Sequence, residues 1–123
     1  MLIVDNLLCN KTHQYVLKQE DTYLIGITDF FLEKVGDIIF LELPEVGTRL
    51  DKGEVFGTIQ NAYSSINLYM PIGGKVLEIN ENVVGNYDNI KDSSWLLKIS
   101  SDTANEDAFD LYDYDDYLDC CLG

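Results

Sequence analysis

The chain has 123 residues, a length that holds one domain and leaves little room for two. Its hydrophobic content of 46% is ordinary for a globular core, but 8 Lys+Arg against 22 Asp+Glu leave a formal charge of −14. A field of that sign repels phosphate backbones and anionic lipid surfaces, which argues against nucleic-acid and membrane partners, and no apolar run has the length of a membrane span.

Met1–Asn10 carries Asp5 and no early Lys or Arg, so it resembles neither a secretory signal nor a transit peptide, and a cytoplasmic location is expected. Tyr15-Val16-Leu17 and Tyr23-Leu24-Ile25-Gly26-Ile27 read as two strands of a hairpin across the polar stretch Lys18 to Thr22. Thr28 is a good N-cap for a short helix, Asp29-Phe30-Phe31-Leu32-Glu33-Lys34-Val35, and Gly36 is its stop. Ile38 to Leu43, closed by Pro44, is expected to be a buried strand followed by a turn. Gly47, Gly53 and Gly57 punctuate the next stretch, and Val55 to Ile59 reads as another strand. This rhythm fits a β-sandwich or barrel.

Gln60 to Asn67 is small and polar. Leu68 to Pro71 resumes the apolar pattern, Gly73-Gly74 is expected to be a turn, and Lys75 to Ile79 a strand. Gly36-Asp37-Ile38-Ile39 has a faint echo in Gly74-Lys75-Val76-Leu77, as two β halves would give. Asn80 to Ser94 reads as loop, and Trp95 to Ile99 as the last strand. Thr103 and Glu106 match a capping box, and Ala104, Ala108, Leu111, Tyr114 and Leu118 would form one face of a helix over about 103–118. More than half of the charge imbalance lies here, on Asp102, Glu106, Asp107, Asp110, Asp113, Asp115, Asp116 and Asp119.

Few residues carry independent chemistry. Cys9, Cys120 and Cys121 form no disulfide framework, which points to a reducing compartment, and the final Gly123 makes Cys120-Cys121-Leu122-Gly123 a poor prenylation box. The single His13 suits a structural role better than metal or catalytic work. Asp110 to Asp116 lacks the Gly and terminal Glu of a calcium loop, so no metal is expected. Ser64-Ser65 has no evident histidine base.

Several blocks together resemble the glycine cleavage system H protein family. They are Gly26-Ile27-Thr28-Asp29-Phe30, the run Val35 to Gly47 with Gly36-Asp37 and Glu42-Leu43-Pro44, the run Leu68 to Asn80, and Trp95-Leu96-Leu97-Lys98-Ile99; His13 sits where that family has an "EHEW" motif. The resemblance runs from about Lys11 to the C-terminal helix. It implies a mainly β fold, a hammerhead (barrel-sandwich hybrid) β-sandwich of the lipoyl-domain type with short marginal helices and an acidic C-terminal helix. It implies one domain over 1–123, with a β core over about 11–100. It implies a carrier and not an enzyme. Members hold lipoate on a lysine at a hairpin tip, and that arm takes the aminomethyl group between the enzymes of glycine cleavage.

The same alignment places Tyr63 where the lipoyl lysine should stand, and Gln60 and Asn67 where the family has acids. No lysine lies between Lys52 and Lys75, and a phenol cannot form the lipoyl or biotinyl amide. No cofactor is therefore expected. The expected function is partner binding through the hairpin residues Gln60, Asn61, Tyr63, Ser64, Ser65 and Asn67, with glycine cleavage or lipoate-handling enzymes as the candidate partners. An accessory role in glycine cleavage beside a lipoylated H protein is the alternative. A small enzyme using Tyr63, Ser64 and Ser65 is the reading with least support. Tyr63 itself is a modification site, a plug for a lipoyl pocket, or an ordinary exposed aromatic. The stretch Lys91-Asp92-Ser93-Ser94 replaces a longer family segment with a "DPYG"-like turn.

Overall fold

In the computed structural model the described residues are 7–83 and 95–121. Among these described residues ten strands form two antiparallel sheets: β1 Leu7–Cys9, β2 Gln14–Gln19, β3 Thr22–Ile27, β4 Phe40–Glu42, β5 Arg49–Leu50, β6 Val55–Gln60, β7 Ser65–Tyr69, β8 Gly74–Ile79, β9 Trp95–Ser100 and β10 Tyr112–Asp113. The larger sheet runs β10-β1-β2-β3-β9-β8-β5, the smaller β4-β6-β7. Alternate residues of both turn inward, so Ile25, Ile27, Val76, Leu97 and Ile99 of one meet Leu41, Phe56, Ile59 and Leu68 of the other in one core. The mainly β sandwich expected from the sequence is what these residues build.

The β2–β3 hairpin turns at Glu20-Asp21, with Gln19 opposite Thr22, and Glu20 takes a left-handed φ of 56°. Helix α1, Asp29–Val35, follows its local signals. The Thr28 hydroxyl accepts from Phe31 N–H at 3.3 Å, and Gly36 ends the helix at φ 73°, where a side chain would be strained. Leu32 and Val35 bury the inner face of α1.

Three expectations need correction. The run Ile38 to Leu43 is no buried strand. Only Phe40–Glu42 are extended, at the edge of the small sheet, where one face alone meets the core. Leu41 is buried, while Ile39 and Phe40 stay 61% and 46% exposed. Gly73-Gly74 is not a simple turn either. Gly74 opens β8 so close to β9 that a Cβ would lie 2.1 Å from Ser100 O. Gly36 caps a helix while Gly74 sits in a strand, so their sequence echo marks no shared structural role.

The third correction concerns the C-terminal helix. It breaks into α2 Ala104–Asp107, a 3₁₀ turn Ala108–Asp110, strand β10, and α3 Tyr114–Cys121. Trp95–Ile99 is thus not the last strand. The capping box does not form: the Thr103 hydroxyl donates to the Asp107 carboxylate at 2.6 Å, and Gly73 N–H donates to the same carboxylate at 2.8 Å. The Lys52 ammonium donates to Asp107 O and pairs with Asp110. These bonds hold the first piece against the sheets, and the open edge of β1 then takes Tyr112 and Asp113 into its ladder. The residue that anchors α3 is Tyr117, wholly buried with Leu7, Cys9 and Tyr15, whereas Leu118 of the expected face is 36% exposed.

The Asn80–Ser94 loop is described only to Val83. Lys91-Asp92-Ser93-Ser94, Met1–Asn6, Leu122 and Gly123 lie outside the described residues, as do the side chains of Tyr114, Cys120 and Cys121.

Candidate functional site

Strands β6 and β7 form one hairpin, with Gln60 opposite Ser65, Ile59 opposite Ile66 and Thr58 opposite Asn67. Asn61 builds the tip. Its N–H donates to Ser64 O at 3.0 Å, and its side-chain oxygen accepts from the N–H groups of Tyr63 and Ser64 at 2.9 and 2.8 Å. An asparagine amide that satisfies its own turn in this way needs no other residue to fold it. The Asn61 amide also donates to Val35 O at 2.9 Å, and Ile39 N–H donates to Gln60 O at 2.8 Å. The tip is therefore tied to the end of α1 by the Asn61 amide and to the start of β4 by Ile39 N–H.

The tip presents Tyr63, which is 95% exposed. Gln60, Ser64, Ser65 and Asn67 are exposed around it, and Asn61 is half-buried beneath. The structure thus brings all six candidate residues onto one hairpin. The nearest lysines in sequence sit at the wrong end. Lys52 precedes the start of β6, the end remote from the tip, and a six-residue strand at ~3.3 Å per residue spans roughly 20 Å. Lys75 stands on β8, opposite Arg49. From Val55 to Gly74 the sequence holds no Asp, Glu, Lys, Arg or His.

The hairpin hydroxyls lack a base to activate them, because His13 is engaged elsewhere. Its Nδ1 lies 2.7 Å from the Tyr117 hydroxyl, which is 2.8 Å from the Thr28 hydroxyl. The ring stacks on Phe31 at 5.5 Å and contacts Phe30 at 5.2 Å. Burial, and then the charge of Lys34, hold the His13 pKa below its ordinary 6.5. Sequence reasoning gave His13 a structural role but missed Tyr117. The one available signal was an aromatic residue among acids in the last helical segment.

A cavity of about 420 Å³ opens where Lys11 and Thr12 meet Tyr69, Met70 and Pro71, closed on one side by Lys52, Asp110 and Tyr112. Asp110 is committed to Lys52, and Asp113 accepts from Asp116 N–H at 2.9 Å, so these acids serve the fold. Among the described residues no group of three metal-ligating side chains converges, and no helix is long and apolar enough to cross a membrane.

Comparison with known proteins bears on this arrangement directly. The family model for the glycine cleavage H-protein matches residues 7–121. A glycine cleavage system H protein from Listeria innocua is 36% identical over 121 residues, covering 95% of this chain and 96% of its own. One from Prochlorococcus marinus is 37% identical over 103 residues, or 80% of each chain. The crystal structure of a glycine cleavage system H protein from Mycobacterium marinum superposes with a TM-score of 0.83 over 93% of this chain and 94% of that one; at 22% identity it speaks for the fold alone. A two-sheet sandwich with a projecting β6–β7 hairpin, matched along nearly its whole length, places this chain in the glycine cleavage H-protein family, a family of carriers and not of enzymes.

Proposed function

We propose that this chain is an H-protein homologue that is not lipoylated at the hairpin and acts by binding protein partners. One observation carries the reading: the hairpin tip presents Tyr63, and no lysine occurs between Lys52 and Lys75. Amide formation needs an amine at the tip, and a phenol does not supply one. The family's carrier chemistry is therefore absent from this hairpin, while the fold that partners read is kept. Those partners are enzymes that handle H proteins or lipoyl groups. The acidic surface suits a basic docking site, so the association weakens as salt rises. In this reading residues 1–123 form one domain working in the cytoplasm.

The test is intact-mass analysis after incubation with a lipoate ligase, ATP and lipoate, with Tyr63→Lys in parallel. The native chain is expected to gain nothing and Tyr63→Lys to gain one lipoyl group. Stoichiometric addition to the native chain overturns the proposal. Family membership favours a second reading, an accessory subunit of glycine cleavage beside a lipoylated H protein. It expects lipoylated Tyr63→Lys to support aminomethyl transfer; an inert variant would mean that the docking surfaces have diverged as well.

A further inference from the structure

Strand β10 and helix α3 are the part of the C-terminal segment beyond the Lys52 contacts. Strand β10 is two residues long and pairs with the edge of β1. On α3 Tyr117 is buried, while Asp115, Asp116, Leu118 and Asp119 are exposed. An eight-residue helix with no basic residue in its last turn is not stable by itself in water. Tyr117 therefore carries the attachment of residues 112–121, and it packs with Leu7, Cys9 and Tyr15 in a cluster distinct from the main core.

His13 meets the Tyr117 hydroxyl from a turn that is itself fixed. It takes a left-handed φ of 76°, a conformation that costs energy for a residue with a side chain and persists where its surroundings impose it. Asn10 imposes it here. Its side-chain oxygen accepts from the N–H groups of Thr12 and Gln14 at 3.2 and 2.9 Å, and its carbonyl accepts from His13 N–H at 3.3 Å. His13 O in turn accepts from Thr28 N–H at 3.0 Å. The turn thus brings the imidazole and the Thr28 hydroxyl to one phenol oxygen.

The hydrogens in this cluster run one way. Thr28 Oγ1 already accepts from Phe31 N–H, so at a residue 4% exposed its own hydrogen is satisfied by donating to Tyr117. Tyr117 then donates to Nδ1, which requires neutral His13 with its hydrogen on Nε2. Protonation puts a hydrogen on Nδ1. The Tyr117 oxygen then faces two donors, and its own hydrogen loses the acceptor it had. Phe30 and Phe31 of α1 pack on the ring, and Lys34 is the charged group of that helix that acts on it. Asp29 and Glu33 of α1, and Asp113, Asp115, Asp116 and Asp119 of the C-terminal segment, make it no hydrogen bond.

We infer that residues 112–121 form an acid-released latch: neutral His13 holds Tyr117, and protonation of His13 frees β10 and α3 from β1 while the two sheets stay folded. In the released state the ring is in water and takes up its proton at about the ordinary 6.5; in the latched state burial and Lys34 move that uptake to lower pH. Release therefore binds a proton. Below about pH 6.5 the released fraction rises by up to about tenfold per pH unit, until the latched ring is itself protonated. Release bares the edge of β1 and the Cys9 side chain, which is wholly buried in the cluster with Tyr117.

Native-state amide exchange of the full chain at pH 7.5, 6.5 and 5.5 tests this, with rates expressed as protection factors so that the intrinsic pH dependence cancels. At each pH the α3 amides should be less protected than those of β8 and β9, the mark of release without global unfolding. Between pH 6.5 and 5.5 their protection should fall several-fold, and by no more than about tenfold. His13→Gln keeps a side chain that can accept from Tyr117 and does not titrate, so its α3 protection should be independent of pH. Circular dichroism reports whether the variant is folded, and the native chain gives its own result without it. An α3 unprotected already at pH 7.5, protection equal to that of β8 and β9, protection constant with pH, or a fall undiminished in His13→Gln each overturns the inference.

Discussion

Tyr117→Phe removes one oxygen and tests the attachment of the C-terminal segment. The Tyr117 hydroxyl bridges His13 Nδ1 at 2.7 Å and the Thr28 hydroxyl at 2.8 Å, at a fully buried position. The phenylalanine keeps the ring and its packing against Leu7, Cys9 and Tyr15, so no cavity term enters. Thr28 is 4% exposed and keeps one bond, from Phe31 N–H, while half-exposed His13 can turn to water. The loss is then about 1 kcal/mol for the bond plus about 1 kcal/mol for the Thr28 hydroxyl left without its second partner. A total of about 2 kcal/mol lowers Tm by roughly 8 °C in a domain of this size. Urea titration at pH 7.5 should show this as a lower midpoint with the slope unchanged. Thr28→Val costs a helix cap as well, and the double variant should fall short of the sum by about 1 kcal/mol. A Tyr117→Phe midpoint within about 0.3 kcal/mol of the native one would refute the bridging role of the hydroxyl.

Three further outcomes rest on other contacts. His13 has a folded pKa below 6.5, so the unfolded chain takes up its proton first; stability is full above about pH 6.5 and falls as pH drops toward the folded value, and urea midpoints between pH 8 and 5 should show this decline flattened in His13→Gln. For Asp107, burial alone would raise the pKa, but bonds from Thr103 and Gly73 and the charge of Lys52 outweigh it and hold it below 3.8, so its contribution is present above that pH and is lost as pH falls further; Asp107→Ala leaves Gly73 N–H without its acceptor and should cost about 1–3 kcal/mol at neutral pH in the same assay. Gly74→Ala drives a methyl group into Ser100 O and must part β8 from β9, which should cost about 3 kcal/mol or more and be read as a fall in yield and Tm.

What the sequence made legible was what its neighbours in sequence decide. Helix α1 begins at Thr28 and stops at Gly36 because both signals act within one turn. The β2–β3 hairpin and strands β6, β8 and β9 announce themselves as β-branched and aromatic runs between polar turns. The hairpin tip was legible only through the family resemblance, since Gln60 to Asn67 by itself reads as a small polar stretch and the turn that Asn61 builds was not foreseen. The C-terminal helix was not, because the groups that break it are remote: Lys52 reaches Asp107 across 55 positions, and β1 captures Tyr112 and Asp113 from the other end of the chain. Strands of two or three residues, such as β5 and β10, are too short to leave a period. The exposure of Ile39 and Phe40 was hidden for a related reason, since a continuous apolar run looks the same in a central strand and at an edge.

The charge of the chain takes on a different meaning once its location is known. Part of the C-terminal acid is internal wiring: Asp107 holds Gly73 and Thr103, Asp110 holds Lys52, and Asp113 caps Asp116. Such acids are committed to the fold, and their number says little about partners. The remainder gives the molecule its repulsive exterior, against which the uncharged run Val55–Gly74 stands out. A hairpin that had merely drifted would be expected to keep the composition of the rest of the surface, where charge is common. The charge-free hairpin with exposed Tyr63 at its tip fits the partner-binding role proposed above. A basic partner would be drawn by the acidic exterior around the tip, so raising the salt should weaken that association and leave the fold of the hairpin unchanged.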